Sequence, residues 1–227
     1  MARFGIVLPS HVYDHKRVPL VREAFCSLER TVTPVLNKPK LLLILKLSDL
    51  YYYHSERLMD SFDVECIPDP QEVRGTEQTL AYGTQHLFDR GIDYVTWMGD
   101  DALFNPMWHS TLAGLVRDKP EALAWSVYRS AYTDVHKTLE EDGPYVKVNS
   151  ICGHGMTFSK EEWKTWGIDW HSGAWYCSQG DTLDLHHAEN RKGERWVTKV
   201  SYVDHTGKVG VHCREHIPEH AVDFQGI

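Results

Sequence analysis

Long apolar runs are missing from this sequence. The longest, Leu41 to Leu45, falls far short of the roughly 20 residues that a membrane-spanning helix needs. The first residues also lack the charged-then-apolar pattern of a secretory leader, so a soluble protein with no membrane span is expected. Cysteine is sparse: Cys26, Cys66, Cys152, Cys177 and Cys213 are odd in number, widely spaced and without a Cys-x-x-Cys pair. Neither a disulfide framework nor a zinc ribbon is expected, and the compartment is expected to be reducing, the cytoplasm. Positive charge is in deficit. A formal charge of −8 leaves no basic stripe for a phosphate backbone, so a nucleic acid would enter only as a locally recognised acceptor. No Gly-x-Gly-x-x-Gly follows the first apolar run and no Gly-Lys-Ser/Thr occurs, so dinucleotide and P-loop readings lack their motifs.

What is present suits one globular domain. The chain has 227 residues, 42% of them hydrophobic and 25% charged, enough to bury a large core. Arg3 to Leu8 reads as a central parallel strand, followed at its carboxyl end by a Pro9-Ser10-His11 loop. Val18, Val21, Phe25 and Leu28 recur at helical spacing between Arg17 and Thr31. Lys40 to Leu47 is a second buried strand. It delivers Ser48 and Asp49 to the same edge, either to cap the next helix or, for Asp49, to accept hydrogen bonds from a base or sugar. Val64 to Ile67 is a third strand, and Thr76 to Arg90 a helix that ends at Gly91. This alternation implies a mostly parallel α/β sheet flanked by helices.

The stretch from Asp93 to Trp108 organises the rest. Tyr94 to Met98 is a short buried strand that Gly99 breaks just before two adjacent acids, Asp100 and Asp101. Ligands of open α/β sheets bind at the carboxyl ends of strands, and two neighbouring carboxylates repel unless a cation or donors hold them. A hard divalent ion carrying a diphosphate fits that need; a solvated turn before a helix capped by Asn105 and begun by Pro106 is the competing reading.

Later segments read as strands at Leu123 to Tyr128, Tyr145 to Ser150 and Met156 to Phe158, with a short helix from Glu161 to Trp166. Gly153 and Gly155 flank His154, so backbone there can approach a ligand, or the histidine is packed between two turns. Trp170 and Trp175 lie in an aromatic loop suited to stacking on sugars or bases, or to closing a small apolar cluster. Asp181 opens a helix from Thr182, as a plain cap or as a base held ionised near a substrate hydroxyl. Trp196 to Asp204 reads as one final strand ending at His205. Fourteen histidines are many, and His212, Cys213, His216 and His220 have zinc-site residue types, but their spacing fits no common pattern.

In this order the segments resemble the GT-A fold glycosyltransferases, above all the family-two inverting group. The opening strand ending in Pro-Ser-His, the second strand ending in an acid, and the helix begun at Arg74-Gly-Thr-Glu-Gln-Thr carry the likeness. So do Tyr94-Val-Thr-Trp-Met-Gly-Asp-Asp-Ala-Leu-Phe-Asn-Pro, Gly153-His-Gly-Met-Thr-Phe-Ser-Lys-Glu-Glu-Trp, Gln179-Gly-Asp-Thr-Leu-Asp-Leu and Val203-Asp-His205. The resemblance covers residues 3 to about 208. It implies one GT-A (Rossmann-like) domain over 1–227: a nucleotide-sugar-binding half to about 105, an acceptor half over 106–208, and a tail over 209–227.

The resemblance further implies an inverting sugar transfer from a nucleoside-diphosphate sugar, a UDP-sugar favoured, with Mn²⁺ or Mg²⁺. Asp101 and His205 would hold the metal, with Asp100 on the ribose or on a metal-bound water. Asp49, Arg74 and the loop of Pro9, Ser10 and His11 would hold the nucleotide. Asp181 would be the catalytic base, and His154, Trp170 and Trp175 would meet donor sugar or acceptor. Two departures stand out: the acids are adjacent where the family usually has Asp-x-Asp, and Gly180 precedes Asp181 where an acid is frequent. The acceptor is a hydroxyl-bearing molecule of open class, such as a glycan or a hydroxylated base in DNA. A nucleotidyltransferase would want a glycine-rich basic loop where Pro9-Ser10-His11 stands; a non-catalytic nucleotide- or carbohydrate-binding module would not need Asp181.

Overall fold

Apolar periodicity decides the architecture. The computed structural model describes residues 2–10, 16–33, 38–45, 58–68, 76–130, 137–151, 155–165, 192–206, 221 and 223–224, with the backbone alone described for 76 and 77. In the first half, β1 (Phe4–Ser10), β2 (Lys40–Leu45), β3 (Asp63–Pro68) and β4 (Tyr94–Trp97) alternate with helices α1 (Arg17–Leu28), α2 (Leu58–Ser61) and α3 (Thr76–Asp89). These four strands pair in parallel in the order β3-β2-β1-β4. Both faces of the sheet are covered, which is why the strands read as continuous apolar runs. On one face Ile6, Leu8, Leu41 and Leu43 pack with Val21, Phe25 and Leu28 of α1; on the other Val7, Leu42 and Ile44 pack with Leu80, Leu87 and Phe88 of α3.

The second half extends the same sheet with mixed pairing. After β5 (Ala102–Phe104) and α4 (Trp108–Asp118) come β6 (Ala124–Ser126), β7 (Thr138–Asp142), β8 (Tyr145–Val148), β9 (Thr157–Ser159), α5 (Lys160–Thr165), β10 (Arg195–Thr198) and β11 (Val203–His205). Among the described residues the long sheet has nine strands, running on from β4 as β9-β6-β10-β8-β7. Only β6 and β10 are parallel in this half; β9 is antiparallel to β4 and β6, and β8 to β10 and β7. The parallel expectation thus describes the half built from repeated strand-helix units, and mostly antiparallel pairing builds the rest.

Three of the differences from the sequence reading have a clear physical reason. Pro9 and Ser10 belong to β1, not to a loop after it, because the pairing with β2 continues through Pro9↔Ile44 and Ser10↔Leu45. Val7 sends its carbonyl to Met98 N–H, and by the two-residue alternation Pro9 carries its missing donor on that same side, where pairing with β4 has already ended at Val7↔Trp97. Helix α4 begins at Trp108, not Pro106: the Asn105 side chain accepts from Met107 N–H at 2.8 Å, and its carbonyl accepts from Trp108 N–H at 3.0 Å. Asn105 therefore makes a turn ahead of the helix and not its cap.

The last strand is two strands. All four residues of β10 are buried, so no alternation marks it as having an outer face. The chain then turns at Ser201, whose hydroxyl accepts from Arg129 N–H at 3.0 Å, and Tyr202 N–H donates to Val127 O at 2.8 Å. From there β11 leaves the long sheet and pairs antiparallel with β5, placing His205 opposite Ala102. Buried His109 of α4 lies between the Phe4 and Trp108 rings, edge-on to each, and burial pushes its pKa down to about 4.

Candidate active site at the ends of β1, β4 and β11

From β1 the chain goes one way along the sheet to β2 and β3, and then returns across it to β4 on the other side of β1. Connections that leave two neighbouring strands in opposite directions open a crevice at the strands' carboxyl ends. Ser10, the last residue of β1, and Asp100, three residues past the end of β4, meet there. The Ser10 hydroxyl donates to Asp100 Oδ2, and the Arg17 guanidinium at the start of α1 forms an ion pair with Asp100 Oδ1. All three residues are buried.

Asp101 faces another partner. The β5–β11 ribbon brings His205 back to it, with His205 Nε2 at 3.2 Å from Asp101 Oδ1 and both residues buried. The next residue fixes the register: Thr206 donates to the Asp101 carbonyl from its N–H at 3.1 Å and from its hydroxyl at 2.8 Å. Two further contacts brace the ribbon. Ser27 of α1 accepts from Phe104 N–H at 3.0 Å, and Asp204 accepts from Ala221 N–H at 2.7 Å. Ala221 also bridges to Ser130.

A carboxylate and an imidazole form a donor set suited to a divalent transition ion such as Mn²⁺. Two adjacent ligands of an octahedral ion, each about 2.1 Å from it, lie about 3 Å apart, close to the spacing of this pair. The residues present therefore fit a shared cation. Among the described residues no group of three or more His, Cys, Asp or Glu converges on one point, so other ligands would come from a bound phosphate, water or residues beyond those described.

Of the residues singled out from the sequence, Ser10, Asp100, Asp101 and His205 come together here, with Pro9 on β1 beside them. His11, Asp49, Arg74, His154, Trp170, Trp175 and Asp181 lie outside the described residues. Gly155 has φ of 79°, and a Cβ there would meet Ser126 Oγ at 3.0 Å and Tyr128 Cβ at 3.2 Å. The close approach that this glycine permits is to the protein's own β6 segment. Sequence reasoning missed two residues, Arg17 and Thr206. Arg17 had a readable sign: it shares a helix face with Val21, Ala24 and Leu28, a charge on an otherwise apolar stripe.

No family model matches the chain, and no curated protein sequence matches it. Solved structures do. The crystal structure of S. aureus TarS 1-349 in complex with UDP-GlcNAc is 10% identical, with a TM-score of 0.60 over 92% of this chain and 62% of that one. The mannosyltransferase PcManGT from Pyrobaculum calidifontis, in complex with GDP-Man and Mn²⁺, is 15% identical, with a TM-score of 0.54 over 82% of this chain and 50% of that one. The fold is that of the GT-A glycosyltransferases. The chain spans about three fifths of the TarS structure and half of the mannosyltransferase. Among the described residues no helix is long and apolar enough to cross a membrane.

Proposed function

We propose that this chain is a metal-dependent, inverting glycosyltransferase that moves a sugar from a nucleoside-diphosphate sugar, most readily a UDP-sugar, to an acceptor hydroxyl. The observation that carries the reading is the buried acid pair at the β1–β4 crevice, with Asp101 set against His205. That two proteins of the same fold hold UDP-GlcNAc, or GDP-Man with Mn²⁺, supports it.

Asp101 and His205 would hold Mn²⁺ or Mg²⁺, and a cation there supplies neutralisation of the charge that develops on the leaving diphosphate. Asp100 accepts a hydrogen bond from the nucleotide's ribose, and Pro9, Ser10, His11, Asp49 and Arg74 would hold the nucleotide. Asp181 takes the proton from the acceptor hydroxyl as its oxygen attacks the anomeric carbon from the face opposite the diphosphate, which inverts the configuration. His154, Trp170 and Trp175 meet the donor sugar or the acceptor. The half up to about residue 105 is the nucleotide-sugar half, and 106–208 the acceptor half. The acceptor class stays open between a glycan and a hydroxylated base in DNA.

The test is turnover. Incubated with a panel of UDP- and GDP-sugars and Mn²⁺, the protein should release nucleoside diphosphate slowly by hydrolysis and faster once its acceptor is supplied. Proton NMR of the product should show the opposite anomeric configuration to the donor. Release of pyrophosphate from nucleoside triphosphates would instead identify a nucleotidyltransferase, and tight binding without turnover of any donor a binding module.

A further inference from the structure

Arg17 occupies a place where the helix pattern asks for an apolar side chain. It is buried on the stripe that includes Val21, Ala24 and Leu28, and the first turn of α1 contains no acid to balance it. A guanidinium taken this far from water is costly unless it is paired and hydrogen-bonded. Its partner arrives from 83 residues away: Asp100, whose side chain is 8% exposed, against 9% for Arg17. Ser10 holds the other carboxylate oxygen. The next residue in the chain, Asp101, is turned to His205.

We propose that Arg17 is a positioning residue that withdraws Asp100 from the cation, so that the adjacent acids are divided in duty and Asp101 with His205 forms the protein's share of the cation site. A pair of free neighbouring carboxylates would present two negative charges to a metal ion and would bind it by themselves. With Arg17 in place, those three groups together present one. The cation then binds weakly to the free protein and well only when a diphosphate adds its own charge. This rests on the metal-dependent reading above for the choice of ion, but its test needs no nucleotide.

The experiment is Mn²⁺ binding to the full chain without nucleotide, read from the electron paramagnetic resonance signal of the free ion. The series is wild type, Asp100→Asn, Asp101→Asn, Arg17→Met and the double variant Arg17→Met/Asp100→Asn, with circular dichroism as the check on folding. Asp101→Asn should weaken Mn²⁺ binding by about tenfold or more, and Asp100→Asn, which leaves the Arg17 charge uncompensated beside Asp101, should weaken it too. Arg17→Met should strengthen it, because a freed Asp100 joins the ion, and the double variant, which buries an uncharged pair, should return to the wild-type value. Should Arg17→Met fail to fold, the comparison of the double variant, from which both charges of the buried pair are gone, with Asp101→Asn decides alone. The proposal is overturned if the double variant binds Mn²⁺ as weakly as Asp101→Asn does. A folded Arg17→Met with unchanged or weaker affinity, or with no binding at millimolar Mn²⁺, also overturns it. Failure of the wild type to bind UDP or GDP with Mn²⁺ would count against the glycosyltransferase reading and leave this series to be judged on the metal alone.

Discussion

At one end of the long sheet β2 lies between β1 and β3, and Leu41 to Leu45 are at most 1% exposed. At the other end every residue of β7 is exposed, and lysines hold the strand: Lys147 on Glu140 at 3.3 Å, Lys199 on Glu141 at 2.7 Å, and Lys119 on Asp142. The first end is fixed by apolar burial, which salt does not screen. The second is held by its backbone ladder with β8 and laced by solvent-exposed pairs that salt does screen, and its acidic edge discourages pairing with a further strand. The site borders the first kind of structure. Ser10 and Asp100 extend from strands clamped between two apolar layers, so the rigid half can hold groups whose spacing matters, while the outer hairpin is free to vary.

The largest effect that would sharpen this division lies in the late half. Asp181→Asn keeps the size and capping ability of the side chain but loses its basicity, so transfer should slow by roughly 100- to 10,000-fold while nucleotide affinity holds. Near-normal turnover would make Asp181 a helix cap and nothing more. In the buried half, Leu43→Ala removes a side chain packed on the α1 face and should cost about 2–5 kcal/mol of unfolding free energy in urea titrations. A cost comparable to that of a surface substitution would contradict the claim that burial fixes this end.

A pH effect comes next. The folded protein keeps His109 neutral down to about 4, whereas the unfolded chain protonates it near pH 6.5, so between those values the unfolded state binds more protons. Stability from this group is complete above that window and is lost as pH falls through it, on the order of 3 kcal/mol in all. The difference in stability between His109→Phe and wild type should therefore grow in the variant's favour from pH 6.5 to pH 4. Parallel curves would show that His109 titrates normally. The smallest effect belongs to the edge: Lys147→Ala should shift the melting midpoint slightly at low salt and not at all at high salt, although it removes the contacts to both Glu140 and Glu194. A large, salt-independent loss would erase the contrast between the two ends.

How much of this was legible beforehand follows the same contrast. Strands such as Lys40–Leu45 and Tyr94–Trp97 announce themselves because both faces are buried and the run is uninterrupted. Three-residue Ala102–Phe104 is too short to show a period, and its partner Val203–His205 is set off from β10 by hydrogen bonds that Lys199, Ser201 and Tyr202 make to distant backbone. From the residues alone His205 was visible only as a histidine at a strand end; it was the family resemblance that set it beside Asp101. Arg17 went unread because a single charge on an apolar stripe has a meaning only when its partner is known, and that partner is Asp100.

The central claim is that a nucleoside diphosphate binds here through a cation held by Asp101 and His205. Calorimetric titration of UDP into the protein with Mn²⁺, with chelator, and into Asp101→Ala with Mn²⁺ tests it most directly. UDP should bind clearly in the first case and lose most of its affinity in the other two, with His205→Ala losing less than Asp101→Ala. Equal affinity with Mn²⁺ and with chelator would contradict it.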